Sequence, residues 1–183
     1  IAAIDFGWDH PTAVVWCAIN TEEEIFYVYD CYRASKASPS VHSAVIRTRP
    51  HFIPIAYPHD GNRRDSMGNP GLADQYRNMG CNFLLEHFTN PPALGSNKGS
   101  NSIEEGLMAM LQAVEAGKFK VFSTLSDWFE EFRMYHRKDN KVVPLRDDLM
   151  SATRYAFQSQ RFAVAGEDPT WTQDVEYRNY GII

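Results

Sequence analysis

The chain's 183 residues fit one ordinary domain, and its 44% hydrophobic and 13% aromatic content excludes a disordered polypeptide. No apolar run approaches the ~20 residues of a membrane span, and three scattered cysteines (Cys17, Cys31, Cys81) without a CxxC argue against a disulfide framework and a zinc site. A net charge of −5 argues against a strong nucleic-acid binder held by overall charge.

Ile1 to Phe6 is apolar up to Asp5 and breaks at Gly7, which predicts a buried strand ending in a carboxylate. No charged-then-apolar leader precedes it, and the start inside a strand-like pattern reads as a piece of a longer protein. Thr12 to Ile19 and Ile25 to Tyr32 are β-branched and aromatic, and predict two further strands. Short connections make these three antiparallel neighbours. Ser38-Pro39-Ser40 opens a helix, with Ser38 as its cap and Val41, Ala44 and Val45 as its apolar face. Phe52 to Tyr57 is a fourth strand, stopping at Pro58-His59-Asp60-Gly61.

Leu72 to Met79 is a short helix closed by Gly80, and Asn82 to Leu85 can form another strand. Thr89 to Asn101 is rich in Pro, Gly and Asn and predicts a mobile loop. Ser102-Ile103-Glu104-Glu105 is a capping box for a helix whose apolar side carries Ile103, Leu107, Met110, Leu111 and Val114. Lys118 to Phe122 is a short strand. Ser126 begins a helix with Trp128, Phe129, Phe132 and Tyr135 inward, and Val142-Val143 is a brief extended piece. Arg146-Asp147-Asp148 leads into a last helix, to about Phe162, that buries Leu149, Ala152, Thr153 and Ala156. The expected architecture is a mixed α/β sheet with helices on both faces. It forms one domain over 1–165, followed by a tail at 166–183.

Carboxylates stand at three element ends: Asp5, Asp60 and the pair Asp147–Asp148. Each alone suits a turn or a helix N-cap. With the first and fourth strands adjacent, both strand ends face one sheet edge, and a helix starting there brings Asp148 to them. Such a cluster of like charges is stable mainly around a divalent cation. Oxygen ligands suit Mg²⁺ or Mn²⁺, and two such ions are the usual apparatus for in-line phosphodiester hydrolysis. Charge is unevenly spread, with acids concentrated in residues 1–30 and basic residues in 31–64 and 133–161.

On these residues the chain resembles the nuclease domain of tailed-bacteriophage large terminases. The resemblance rests on Ile4-Asp5-Phe6-Gly7 with Pro11-Thr12-Ala13-Val14, and on Tyr57-Pro58-His59-Asp60-Gly61. It rests most on the C-terminal series through Lys98, Ser102-Ile103, Gly106, Phe129 to Tyr135, and Arg146 to Ala156. It covers about residues 1–160 and implies a ribonuclease H-like fold and an endonuclease that cuts concatemeric double-stranded DNA with little sequence preference. Residue by residue it implies that Asp5, Asp60, Asp148 and Asp147 hold two ions, Mg²⁺ or Mn²⁺, with Asp148 favoured over Asp147 as the direct ligand. Ser151 stands where many relatives carry another Asp.

Arg63, Arg64, Lys98, Arg137, Lys138 and Lys141 are candidate contacts to DNA phosphates. Asp9 and His10 are secondary candidates for an outer metal or phosphate contact, and His59 for a proton shuttle. The resemblance implies as partners duplex DNA, an ATPase domain of the same polypeptide, a small terminase subunit and a portal protein. It places the protein in the host cytoplasm, away from membranes. No GxxxxGK[ST] loop occurs, so this chain alone is not expected to translocate DNA. The alternatives are another ribonuclease H-like nuclease, such as a junction resolvase or recombinase, and a catalytically silent docking module of a packaging motor.

Overall fold

The structure is a computed structural model that describes residues 1–63, 68, 70–92, 95, 98–139, 141–143 and 145–165. Arg64 and the tail at 166–183 lie outside the described residues. The β-branched and apolar runs become β1 (Ala2–Asp5), β2 (Thr12–Asn20) and β3 (Ile25–Ala34), paired antiparallel with Asp5 opposite Ala13 and Thr12 opposite Ala34. The fourth strand shrinks to β4 (Ile55–Ala56), which lies parallel to β1 as expected. Residues 82–85 do not form a strand. Phe83 makes only an isolated parallel bridge to Ile55, because its ladder is limited to the two residues of β4. On the far side, β5 (Phe119–Val121) pairs parallel with β3, giving the order β4-β1-β2-β3-β5.

Alternation along the strands divides the core in two. Ala2, Ile4, Val14, Trp16 and Ile55 face α1 (Pro39–Ile46) and α2 (Leu72–Asn78), where Ile46, Ala73 and Tyr76 meet them. Ala3, Ala13, Val15 and Val28 face α5 (Asp148–Gln158) and α4 (Ser126–Met134), through Leu149, Ala152, Ala156 and Trp128. Asp5 shares the parity of Ala3 and so turns toward α5. The Trp128 indole N–H donates to Thr153 Oγ1 at 2.9 Å and ties α4 to α5.

Three helices depart from their expected faces. In α1 the buried residues are His42, Ser43 and Ile46, while Val41 and Ala44 are exposed. His42 is buried with its ring nitrogens hydrogen-bonded to the Tyr32 hydroxyl and the Ala37 carbonyl. Ser38 makes no side-chain cap; its hydroxyl meets Ser40 instead. In α3 (Ile103–Glu115) only Gly106 is buried. Ile103, Leu111 and Val114 stay nearly half exposed, because no element of the described residues lies over that side. In α4 the innermost residues are Trp128 and Glu131, and Phe132 is largely exposed while stacking on Trp128.

The stretch at 89–101 is anchored at both described ends. The Asn90 backbone N–H donates to the Ser100 carbonyl at 2.8 Å, and its buried side-chain amide donates to the Ser102 carbonyl at 2.8 Å. Val142 belongs to a small hairpin, β6 (Arg137–Lys138) and β7 (Lys141–Val142), which turns at Asp139 with φ 50°.

Candidate metal centre

The parallel pairing of β1 with β4 sends both strand ends to one edge, and α5 begins there. Asp5 closes β1 and is partly buried. Its Oδ1 accepts a hydrogen bond from the Tyr155 hydroxyl at 3.2 Å, reaching back from the second turn of α5. Burial pushes the Asp5 carboxyl up to about 8, and the charges of Asp148, Asp60 and Asp147 add to the rise while the Tyr155 hydrogen bond opposes it. All four predicted carboxylates are therefore electrostatic neighbours.

Asp60 is exposed in a single 3-10 turn, His59–Asn62, that follows β4. The turn packs tightly on the sheet at Gly61, where a Cβ would stand 2.7 Å from the rings of Phe6 and Tyr57. A side chain there would push the turn, and Asp60 with it, off the edge. Asp148 is buried, and its Oδ2 has no hydrogen-bond partner. Burial raises its carboxyl, Asp147 raises it further, and His10 and Arg33 pull the other way. Burial also raises the Asp147 carboxyl, against His10 and Arg154.

His10 thus stands near the acidic pair. It is exposed with Asp9 on the rim of a cleft of about 440 Å³, lined also by Arg33, Glu130, Glu131 and Asp148. His59 is exposed beside His87, ring centroids 6.3 Å apart. Arg63 and Lys98 are exposed, as are Lys138 and Lys141, which pair across the hairpin. Arg137 is ion-paired with Glu104 at the start of α3.

The donor set fits a hard divalent cation: four carboxylates, one oxygen buried without a partner, and no ion pair to any of the four among the described residues. The carboxylates converge without closing. Among the described residues no three His, Cys, Asp or Glu side chains stand close enough together to hold an ion.

Three neighbours of the site had no assigned role in the sequence. Tyr155 holds Asp5. Arg154 is buried with its guanidinium 4.8 Å from the Tyr155 ring centroid and 5.2 Å from that of Phe88, with Nη1 unpartnered. Glu131 is fully buried, with Oε2 accepting the Leu149 N–H at 2.7 Å and Oε1 accepting from Arg33 at 3.1 Å. One signal for Glu131 was present. It lies three residues after Trp128 and four before Tyr135, on the inward side of its helix.

Strand order, strand direction and acidic edge together define a ribonuclease H-like domain. Residues 2–160 match the family model of the terminase RNaseH-like domain, and the chain belongs to this family. It is 36% identical over 164 residues to the large terminase subunit of Salmonella phage P22, a match covering 89% of this chain and 32% of the relative. It is 35% identical over 158 residues to that of Enterobacteria phage LP7, covering 86% and 32%. The chain thus spans about a third of the length of these curated relatives. Among solved structures, the P22 large terminase nuclease domain matches with a TM-score of 0.78 at 36% identity, covering 89% of this chain and 81% of that one. The nuclease domain of the phage SPP1 large terminase, solved with bound Mn, matches with a TM-score of 0.61 at 18% identity, covering 87% and 85%. The latter likeness is one of fold. No helix of the described residues is long and apolar enough to cross a membrane.

Proposed function

We propose that this chain is the nuclease domain of a phage large terminase, a divalent-cation-dependent endonuclease that cuts concatemeric double-stranded DNA during genome packaging. The observation that supports the reading is the placing of Asp5 at the end of β1, Asp60 in the turn after β4 and Asp147 and Asp148 at the start of α5, on one side of a terminase-family domain. Relatives named for this domain are nucleases, and two were solved with Mn or magnesium bound. Asp5, Asp60 and Asp148 would hold Mg²⁺ or Mn²⁺, with Asp147 beside them. A pair of such ions supplies an activated water for in-line attack on phosphorus and stabilisation of the leaving 3′ oxygen.

The chain's own groups do the positioning. Tyr155 orients the Asp5 carboxylate, and the tight turn at Gly61 holds Asp60 at the edge. His10 stands beside the acidic pair on the rim of the cleft. Arg63, Arg64, Lys98, Lys138 and Lys141 would contact DNA phosphates, with Arg137 joining them when it leaves Glu104; such contacts grip the backbone without reading sequence. An ATPase domain of the same polypeptide, a small terminase subunit and a portal protein would be its partners in the host cytoplasm.

The test is cleavage of supercoiled plasmid with Mn²⁺, Mg²⁺ or EDTA, beside Asp60→Ala. Asp60 suits the purpose because it is exposed in its turn, so its removal leaves the core intact. Nicking and linearisation that require metal and vanish in the variant are expected. Activity that survives Asp60→Ala overturns the ligand assignment.

A further inference from the structure

We infer that Glu131 caps α5 from the neighbouring helix, which releases Asp147 and Asp148 from capping duty. Glu131 is then a positioning residue for the acidic pair. The inference rests on the proposed reading only where it gives those two carboxylates a use.

The first N–H groups of a helix have no acceptor within it. The usual acceptor is the side chain of the N-cap residue, which takes the N–H two or three positions on, and aspartate is among the best. Asp147 occupies the N-cap of α5, with φ −120° and ψ 12°, yet its side chain makes no cap hydrogen bond. Its backbone carbonyl accepts the Ser151 N–H at 2.7 Å, and its carboxylate reaches no further than its own N–H. The first N–H that an Asp147 side chain could take, two positions on, belongs to Leu149. It is occupied by Glu131 Oε2 at 2.7 Å, from 18 residues earlier in the chain. The Leu149 N–H is therefore satisfied without either aspartate.

Glu131 is built for that place. It is fully buried, so its carboxylate has no water to turn to. Arg33 on β3 fixes its other oxygen at 3.1 Å and is itself held by Glu130 and by Asp127 at 3.4 Å. Asp148 follows Asp147 with Oδ2 buried and unpartnered. An aspartate turned back to cap its own helix would give up oxygens that the sheet edge needs.

The test is a thermal cycle in EDTA over wild type, Glu131→Ala, Asp147→Ala and the double variant. With Glu131 present, Asp147→Ala leaves the melting midpoint unchanged or raises it, since Asp147 caps nothing and repels its neighbours. In the Glu131→Ala background Asp147 takes over the cap, and its removal lowers the midpoint by a further ~2–4 °C. Equal effects of Asp147→Ala in both backgrounds overturn the inference. Glu131→Asp, which is one methylene shorter and withdraws the acceptor, serves the same cycle if the alanine variant fails to fold.

A second readout is Mn²⁺ affinity by calorimetry. Glu131→Gln keeps an acceptor for the Leu149 N–H while turning its NH₂ toward Arg33, and it loses less affinity than Glu131→Ala, which weakens it at least about tenfold. Equal loss in both variants overturns the positioning role. A coupled thermal cycle with no Mn²⁺ heat in wild type supports the cap and tells against the metal reading. An additive cycle with normal Mn²⁺ binding does the reverse.

Discussion

Helices α3 and α5 both start with a residue suited to capping and with acids in the first turn, yet only α3 is capped by its own side chain. Ser102 Oγ accepts the Glu105 N–H at 3.3 Å. Glu105 does not complete the reciprocal box, because its carboxylate is drawn to Ser100 Oγ and to the Asn90 amide. The start of α5 takes its acceptor from α4 and leaves two carboxylates uncommitted. A local cap consumes the side chain that makes it. A cap brought from another element costs a buried charge, which Arg33 must offset, and in return keeps the helix's own acids available. Helix starts that carry chemistry gain from the second arrangement, and α3, whose Ser102 is remote from the four carboxylates in role, has no need of it.

The largest expected effect tests what gathering carboxylates at a buried sheet edge costs. Burial and three like charges raise the Asp5 carboxyl from 3.8 to about 8. A group raised on folding contributes stability that is fully present below its unfolded value and lost as pH rises through its folded value. In EDTA, stability should therefore fall between about pH 4 and pH 8, on the order of a few kcal/mol. Asp5→Asn should flatten that fall and raise the melting midpoint at pH 8 while removing cleavage. Thermal melts across this range check it; a variant with the wild-type pH profile would refute the attribution to Asp5.

A smaller effect is expected where the two helices touch. A Cβ on Gly106 of α3 would stand 2.7–2.8 Å from Cδ and Cγ of Arg154 of α5. Arg154 is buried against Phe88 and Tyr155 and has no room to move aside. Overpacking costs roughly 1–3 kcal/mol, against about 1 kcal/mol gained from better helix propensity. Gly106→Ala should therefore destabilise by about 1 kcal/mol in urea unfolding. A variant more stable than wild type would mean that propensity outweighs the contact.

The acidic edge was legible because strands announce their own ends. An apolar run that stops at Asp5, and another that stops before Asp60, place both carboxylates once the two strands are neighbours. The mixed sheet followed from the same β-branched runs. What escaped was whatever depends on a distant partner. Amphipathic spacing identified α3 but not that its apolar side would remain uncovered beside Phe129 and Phe132. His42 turned inward against expectation because Tyr32 and Ala37 satisfy it, and a polar residue with partners is as good a core residue as an apolar one. Glu131 was masked by the aromatic residues around it. Its meaning lies in the Leu149 N–H and in Arg33, 98 residues before it.

The smallest effect sharpens the contrast between the two caps. Ser102→Ala removes the side-chain acceptor of the Glu105 N–H at the start of α3 and should cost about 1 kcal/mol. The loss is limited because Asn90 still holds the Ser102 carbonyl at 2.8 Å and the helix start stays in place. Since Ser102 serves only its own helix, Mn²⁺ affinity and plasmid cleavage should remain at wild-type levels. Glu131→Ala should instead lose stability and metal affinity together. Urea unfolding and Mn²⁺ calorimetry on the two variants side by side would separate a cap that serves only its helix from one that also frees a site. If Ser102→Ala weakened Mn²⁺ binding as much as Glu131→Ala, the two helix starts would not differ in kind, and any loosening of the domain would suffice to explain both.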